Sequence, residues 1–255
     1  MKQFLLPPWY AGENRISLDG EDFRYLARVL RRRAGDELTA ADAGGAVYMM
    51  RILRVGRADC EVELAPAAAA RMPPAGVGIT LIQCLPKGRK IDLIVRQATE
   101  AGVERIVLAT SAHSQVRPEE KDARVPRLRK VAREALQQSG APRLPEIEEP
   151  RSLPAIAARA GEWGMALFFH ERPRGGAALH RLLAGASRSV AILIGPEGGL
   201  SEDEAVLLEH AGFHPAYLGG SVLRVETAAL YALGAVKTIL QERDAWIPAQ
   251  QESSG

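Results

Sequence analysis

The spacing of apolar and polar positions changes character near residue 75, and the two parts of the chain predict different architectures. In the first part, short segments of period two, Ala46 to Ile52 and Cys60 to Leu64, are separated by Gly/Asp turns at Asp42 to Gly45 and Gly56 to Asp59, the pattern of a small β domain. One helical stretch, Glu21 to Arg32, interrupts it. In the second part, strand-length runs at Ile79 to Leu85, Arg105 to Ala109, Met165 to Phe169, Val190 to Ile194 and Ala216 to Leu218 alternate with helical spacings. That alternation predicts an α/β domain with a parallel sheet covered on both faces. Ile91, Ile94, Val95 and Ala98 recur at helical intervals until Gly102 stops the helix. Lys121 to Ser139 would bury Leu128, Val131, Ala132, Ala135 and Leu136, and Glu226 to Gln241 offers Ala228, Ala229, Leu230, Leu233 and Val236 to the sheet or to a second subunit. The Ala/Pro-rich stretch Leu64 to Gly76 reads as a linker, which predicts domains at 1–72 and 76–245 and a disordered tail at 246–255. No internal repeat is visible.

Composition narrows the class. A chain of 255 residues, 47% of them hydrophobic, suits two modest domains with a core each. Cys60 and Cys84 stand far apart without a Cys-x-x-Cys or neighbouring histidine, which argues against a disulfide framework or a zinc site and for a reducing, cytoplasmic home. The five histidines show no ligand spacing, so no metal is expected. The opening Met1 to Pro8 is too short and too soon broken by proline for a signal sequence, and no apolar run reaches membrane-spanning length, so a soluble protein is expected. Charge is uneven: residues 87–143 carry 13 Lys/Arg against 7 Asp/Glu, whereas 144–255 carry 9 against 14. Local positive density is what polyanion binding needs, because affinity grows with the number of phosphates neutralised.

The most informative stretch is Ile194-Gly195-Pro196-Glu197-Gly198-Gly199-Leu200-Ser201 with Glu204 beyond it, a buried strand ending in a glycine loop that opens into a helix. Ser201 and Glu204 have capping-box spacing. In an open α/β sheet, ligands bind beyond the carboxyl ends of the strands, where this loop lies. It is neither a P-loop nor a dinucleotide fingerprint. A second glycine loop repeats the plan: Leu218, Gly219, Gly220, Ser221, Val222 and Leu223 lead through Arg224 to Glu226 and an alanine-rich helix. Carboxylates at Glu197 and Glu226 also suit the positive ends of the helices that follow. His170 and Glu171, after the Met165 to Phe169 strand, are placed to line the cleft without a catalytic role.

Two basic surfaces stand out. Arg24, Arg28 and Arg31 have the spacing of one helix face, with Arg32 and Arg33 beside them and only Glu21 and Asp22 nearby. Such arginines repel one another unless an anion lies across them, which favours RNA over an ordinary solvated face. Arg124, Arg127, Lys130 and Arg133 on the later helix point the same way.

The two glycine loops in this order, Ile-Gly-Pro-Glu-Gly-Gly-Leu-Ser and then Leu-Gly-x-x-x-Leu-Arg-x-Glu-Thr-Ala, resemble the RsmE family, bacterial SPOUT-class methyltransferases acting on N3 of a uridine in 16S ribosomal RNA. Tyr25 to Arg31 followed by Gly35 to Leu38, Lys87 to Lys90 leading into Ala98 to Val103, and Gln138 to Gly140 before Arg143 and Pro145 match further blocks, so the likeness spans nearly the whole chain. It implies a small N-terminal PUA-like β-barrel that binds RNA and a C-terminal SPOUT trefoil-knot domain that binds S-adenosyl-L-methionine. The implied cofactor residues are Ile194, Gly195, Glu197, Gly198, Gly199, Leu218, Gly219, Ser221, Val222 and Leu223. Arg24, Arg28, Arg31, Arg32, Lys87, Arg127, Lys130 and Arg143 are the expected RNA contacts. Arg224 and Glu226 are the expected catalytic pair, Arg224 stabilising the uracil anion and Glu226 acting as its orienting partner or as proton acceptor. The implied partners are 16S ribosomal RNA in the 30S subunit and a second copy of the chain. Related alternatives are ribose 2′-O methylation and a non-catalytic RNA-binding or assembly role. Departures from the family pattern are Ala141 after the glycine, Gln97 for a lysine, His113 for an arginine and Tyr25 for a histidine.

Overall fold

A computed structural model describes residues 3–42, 44–67, 77–114, 124–141, 143–186 and 189–251, with the side chains of 244–251 left aside. The chain separates into two compact units, one of Met1–Pro74 with Arg133–Leu144 and one of Ala75–Ala132 with Pro145–Gly255. Most of the expected linker, residues 68–76, lies outside the described residues, as do residues 121–123 of the expected basic helix. Arg133–Leu144 belongs with the N-terminal strands, whereas a simple cut at the linker would leave it in the second domain.

The first unit holds strands β1 (Phe4–Leu5), β2 (Arg15–Asp19), β3 (Glu37–Ala41), β4 (Val47–Val55) and β5 (Asp59–Pro66). They form one sheet in the order β1-β3-β4-β5-β2. Alternation is visible in β2, where Ile16 and Leu18 are buried between exposed neighbours. Phe4, Leu18, Leu26, Met50, Ile52 and Val62 fill the core of this unit. The helical stretch departs from the regular helix expected over Glu21 to Arg32. Helix α1 covers only Gly20–Arg24 and passes into a π-helical turn over Tyr25–Val29, after which Arg31 adopts a left-handed φ of 52°. The Leu30 amide donates to the Tyr25 carbonyl at 2.9 Å. Each such i→i+5 bond inserts a residue into the turn, so Arg24, Arg28 and Arg31 do not share one α-helical face.

In the second unit, strands and helices alternate: β6 (Gly78–Cys84), α2 (Lys90–Glu100), β7 (Arg105–Thr110), α3 (Arg124–Ser139), β8 (Glu146–Ser152), α4 (Leu153–Ala157), β9 (Met165–Phe169), α5 (Leu179–Ala184), β10 (Ser189–Ile194), α6 (Glu202–His210), β11 (His214–Ala216) and α7 (Val225–Gln251). The last residues of α3 fall in the first unit. All neighbours in the sheet, ordered β11-β9-β10-β6-β7-β8, are parallel. Every residue of β6 is buried, and Val190 to Ile194 of β10 are too, as a strand between two helical layers requires. Burial of each large aliphatic side chain there contributes roughly 1.5–3 kcal/mol. Edge strand β8 escapes a hydrophobicity reading because only Ile147 is buried among charged neighbours, a composition that discourages pairing with another chain. Helix α7 continues to Gln251, so the tail expected from 246 is helical through that residue. No helix among the described residues is long and apolar enough to cross a membrane, and none of their His, Cys, Asp and Glu side chains cluster as a metal site.

Candidate active site

Parallel register aligns the carboxyl ends of three adjacent strands. Phe169 of β9 lies opposite Ile194 of β10 on one side and Ala216 of β11 on the other. The loops leaving these ends, with the first turns of α7, line a cleft that opens to solvent. Ile194, Gly195, Glu197 and Gly199 line it from the first glycine loop, and Leu218, Gly219, Ser221, Val222 and Leu223 from the second. Gly198 does not line it: a Cβ there would meet His113 Cβ at 3.0 Å instead. Arg224 and Glu226 also stand outside the lining. The remaining wall comes from Phe169, His170, Glu171, Pro196, Leu200 and Tyr217, with Val225 and Ala228 of α7.

The first loop is held by short contacts. The Gly199 amide donates to the Pro196 carbonyl at 3.0 Å, and Gly199 takes a φ of +69° that favours glycine. Ser201 then caps α6 in a complete capping box: its Oγ accepts from the Glu204 amide at 3.3 Å, and its own amide donates to Glu204 Oε2 at 2.9 Å. Glu204 Oε1 accepts from the Ala112 amide at 2.6 Å. His113 Nδ1 lies 3.1 Å from the Gly199 carbonyl. The segment after β7 is therefore fastened to the glycine loop, and His113, expected among the RNA-facing departures, packs on that loop.

Glu197 makes a charge-assisted link across the site. Its Oε1 accepts from Lys90 Nζ at 2.6 Å, and both oxygens lie 3.2 Å from the Lys87 amide. Partial burial pushes this carboxyl up, but the Lys90 ammonium and the main-chain donors outweigh it and hold Glu197 below its ordinary 4.5. At the second loop, Gly219 has a φ of +112°. Val222 is 84% exposed and Tyr217 42%, so apolar surface at the cleft mouth awaits a covering group. Glu226 Oε2 is buried without a hydrogen-bond partner. No hydrogen bond or ion pair joins Arg224 to Glu226 among the described residues, so the orienting bond expected between them is not made.

The expected RNA contacts divide by surroundings. Arg28 and Arg31 are exposed, and Arg24 Nε donates to the Gly20 carbonyl. Arg32 reaches Asp36 at 4.0 Å. Lys87 and Lys130 are exposed, and Arg143 is half-buried. Arg127 is ion-paired with Asp92. Arg133, read with the basic helix, instead donates to Asp22 Oδ1 at 2.7 Å and to the Leu5 carbonyl at 3.1 Å. Of the departures from the family pattern, Ala141 is buried against Leu5 and Leu136, and Tyr25 packs on Phe4 at a centroid distance of 6.4 Å.

The depressed Glu197 carboxyl gives the Lys90 tether a defined pH window. A carboxylate lowered by folding stabilises the folded loop above its unfolded pKa and loses that contribution as pH falls through the folded value. The carboxyl carbon signal of Glu197 should accordingly titrate below 4.5. In Lys90→Met the midpoint should rise; an unmoved midpoint in that variant would show that Lys90 does not hold the carboxylate.

Comparison with known proteins agrees with this architecture. A model described as an RNA methyltransferase domain matches residues 73–237, and one described as an RNA methyltransferase PUA domain matches 18–65. The chain is 31% identical to a ribosomal RNA small subunit methyltransferase E of Mycobacterium bovis, over 89% of this chain and 88% of that one. Its Bacillus subtilis counterpart is 28% identical over 87% and 89%. Among solved structures, a ribosomal RNA small subunit methyltransferase E from Neisseria gonorrhoeae bound to S-adenosyl methionine superposes with a TM-score of 0.82 at 26% identity, covering 94% of this chain and 98% of that one. Two matched domains in this order, the parallel sheet and its glycine-lined cleft lead to one assignment: the chain belongs to the RNA methyltransferase family, with an N-terminal PUA-like domain and a C-terminal methyltransferase domain.

Proposed function

We propose that this protein methylates N3 of a uridine in 16S ribosomal RNA of the 30S subunit, using S-adenosyl-L-methionine held in the cleft beyond β9, β10 and β11. The observation that carries the reading is the convergence of two glycine loops on one cleft whose lining, among the described residues, contains no Lys or Arg. Cleft-lining backbone at Gly195, Gly199 and Gly219 suits recognition of a heterocycle edge, and Val222 and Tyr217 suit its faces. A lining without guanidinium or ammonium groups is compatible with a positively charged ligand. When bound, the cofactor supplies a methyl group on a sulfonium centre for in-line displacement. The protein's part is placement of the reacting atoms.

Removal of the imide proton leaves negative charge on the uracil ring. Arg224, exposed just before α7, is assigned to stabilise that charge. Glu226, with one buried oxygen unpartnered, is placed as an acceptor whose partner arrives with substrate. The exposed Arg28 and Arg31, with Arg24 and Arg32, are assigned to RNA phosphates, as are Lys87, Lys130 and Arg143. Arg127, paired with Asp92, contributes less in this reading. A second copy of the chain is assigned to the α7 face on which Leu230 is 43% and Tyr231 55% exposed beside Gly234, since an apolar helical stripe in water favours burial. The unpaired buried thiols Cys60 and Cys84 suit the cytoplasm, where ribosomes also lie.

Incubation of the protein with 30S subunits lacking the modification should yield 3-methyluridine on nucleoside digestion and mass spectrometry. Arg224→Ala should lower single-turnover methyl transfer far more than cofactor affinity, because charge on the uracil develops in the transition state. A ribose-methylated nucleoside in place of 3-methyluridine would overturn the base assignment. Full activity of the alanine variant would remove Arg224 from the chemistry.

Replacing both Arg28 and Arg31 by alanine should weaken RNA binding and flatten its dependence on salt, each lost phosphate contact reducing the logarithmic slope by roughly 0.7 to 0.9. An unchanged slope would make this an ordinary solvated surface. Light scattering checks the second copy: the wild-type protein should run as a dimer and Tyr231→Arg as a folded monomer, whereas a monomeric wild type at micromolar concentration would exclude the assignment.

A further inference from the structure

Charge along the cleft wall is unequal in its compensation. Among the described residues two carboxylates line it, Glu171 and Glu197, and no Lys or Arg does. The charge of Glu197 is met by Lys90 at 2.6 Å. Glu171 has no ion pair or hydrogen bond of its side chain among the described residues and is exposed.

Its placement is nevertheless built. The Gly199 Cα faces Glu171 so closely that an added Cβ would lie 2.7 Å from Glu171 Oε2. Glycine at 199 thus supplies room for the carboxylate as well as the left-handed backbone. The segment bearing Glu171 is anchored on both sides. The His170 amide donates to the Ala216 carbonyl at 3.1 Å, and the His170 ring accepts from the Arg172 amide at 3.1 Å. Farther on, Arg174 is tied to Glu202 at 2.7 Å and to Glu209 at 2.8 Å on α6. Arg174 is therefore engaged by α6, and Arg172, next in sequence, makes no ion pair with Glu171 among the described residues, so the Glu171 carboxylate is left to the cleft.

We propose that Glu171 is the counter-charge for the cationic part of the cofactor, receiving its α-ammonium or sulfonium group. The inference rests on the reading of the cleft as the cofactor site. A carboxylate fixed in a partly enclosed cleft attracts a cation more strongly than it would in open water, and a charge-assisted hydrogen bond to an ammonium adds geometry to that attraction. The neutral adenosine portion would gain nothing from the same charge.

Isothermal titration of the full-length protein and of Glu171→Gln with three probes tests the proposal: S-adenosylmethionine, S-adenosylhomocysteine and 5′-methylthioadenosine, which lacks both cationic groups. The variant is isosteric at an exposed position, and its thermal midpoint should match the wild type. Affinity for S-adenosylmethionine should fall about tenfold or more, while that for methylthioadenosine stays within about twofold, as expected when no ligand charge is met. A parallel loss for S-adenosylhomocysteine assigns Glu171 to the α-ammonium; its retention assigns the sulfonium. Equal losses for all three probes would show that Glu171 acts on the adenosine or only on loop structure, and unchanged affinity for S-adenosylmethionine would show that it meets no cofactor charge. Either result overturns the proposal. If the wild-type protein binds none of the three, the cofactor reading of the cleft fails first.

Discussion

Level termination of neighbouring parallel strands is the constraint on which the candidate site depends. The β9, β10 and β11 ladders keep Phe169, Ile194 and Ala216 abreast, and β9 and β10 are buried deeply enough that a slip of one residue would turn apolar side chains to the wrong layer. The loops that follow have little regular structure of their own. Their convergence is inherited from the sheet, so side-chain packing many residues away decides where the glycines sit. Interiors packed at this density do not deform gradually, which is why a cleft made of turns can be held in one shape.

The glycines then have distinct duties. Gly195 packs against Leu200 and the Gly199 carbonyl carbon, with only 3.4 Å available to a Cβ. Gly198 accommodates His113 and Gly199 accommodates Glu171, from different sides of the same dipeptide. Gly219 and Gly220 have open space where a Cβ would go, and Gly219 is required for its φ instead. Two loops of similar composition are thus constrained differently, by steric closeness together with a left-handed φ at Gly199 in the first and by backbone conformation alone in the second.

Much of this was legible in the residues, for reasons that differ by element. Strands β6, β7, β9 and β10 stand out because both faces are buried and apolar residues run without alternation. The capping box at Ser201 and Glu204 is local chemistry, and the structure contains it as spaced. Strand β8 was hidden because an edge carries charge, and the π-helical turn at Tyr25–Val29 because hydrogen-bond register leaves no mark on composition. The basic surface was overread at Arg133, whose guanidinium is taken by Asp22 and a carbonyl far away in sequence. Within the site, the two glycine loops could be found by pattern. The proximity of Glu171 to Gly199 could not, since it follows from β9 and β10 being neighbours rather than from any spacing along the chain.

Glu204 carries a consequence for what sequence variation the site can tolerate. One oxygen completes the cap of α6 and the other holds the Ala112 amide, so a single side chain is both a helix terminus and a staple to the segment after β7. Glutamine would preserve the written capping motif, yet its amide offers only one oxygen, and its nitrogen would face a donor. Aspartate has two oxygens but a shorter reach. A substitution that looks neutral in the language of helix caps would therefore release Ala112 and, next to it, the imidazole that supports Gly198. The position is held by the geometry of two acceptors, and its tolerance is set outside the helix to which it belongs.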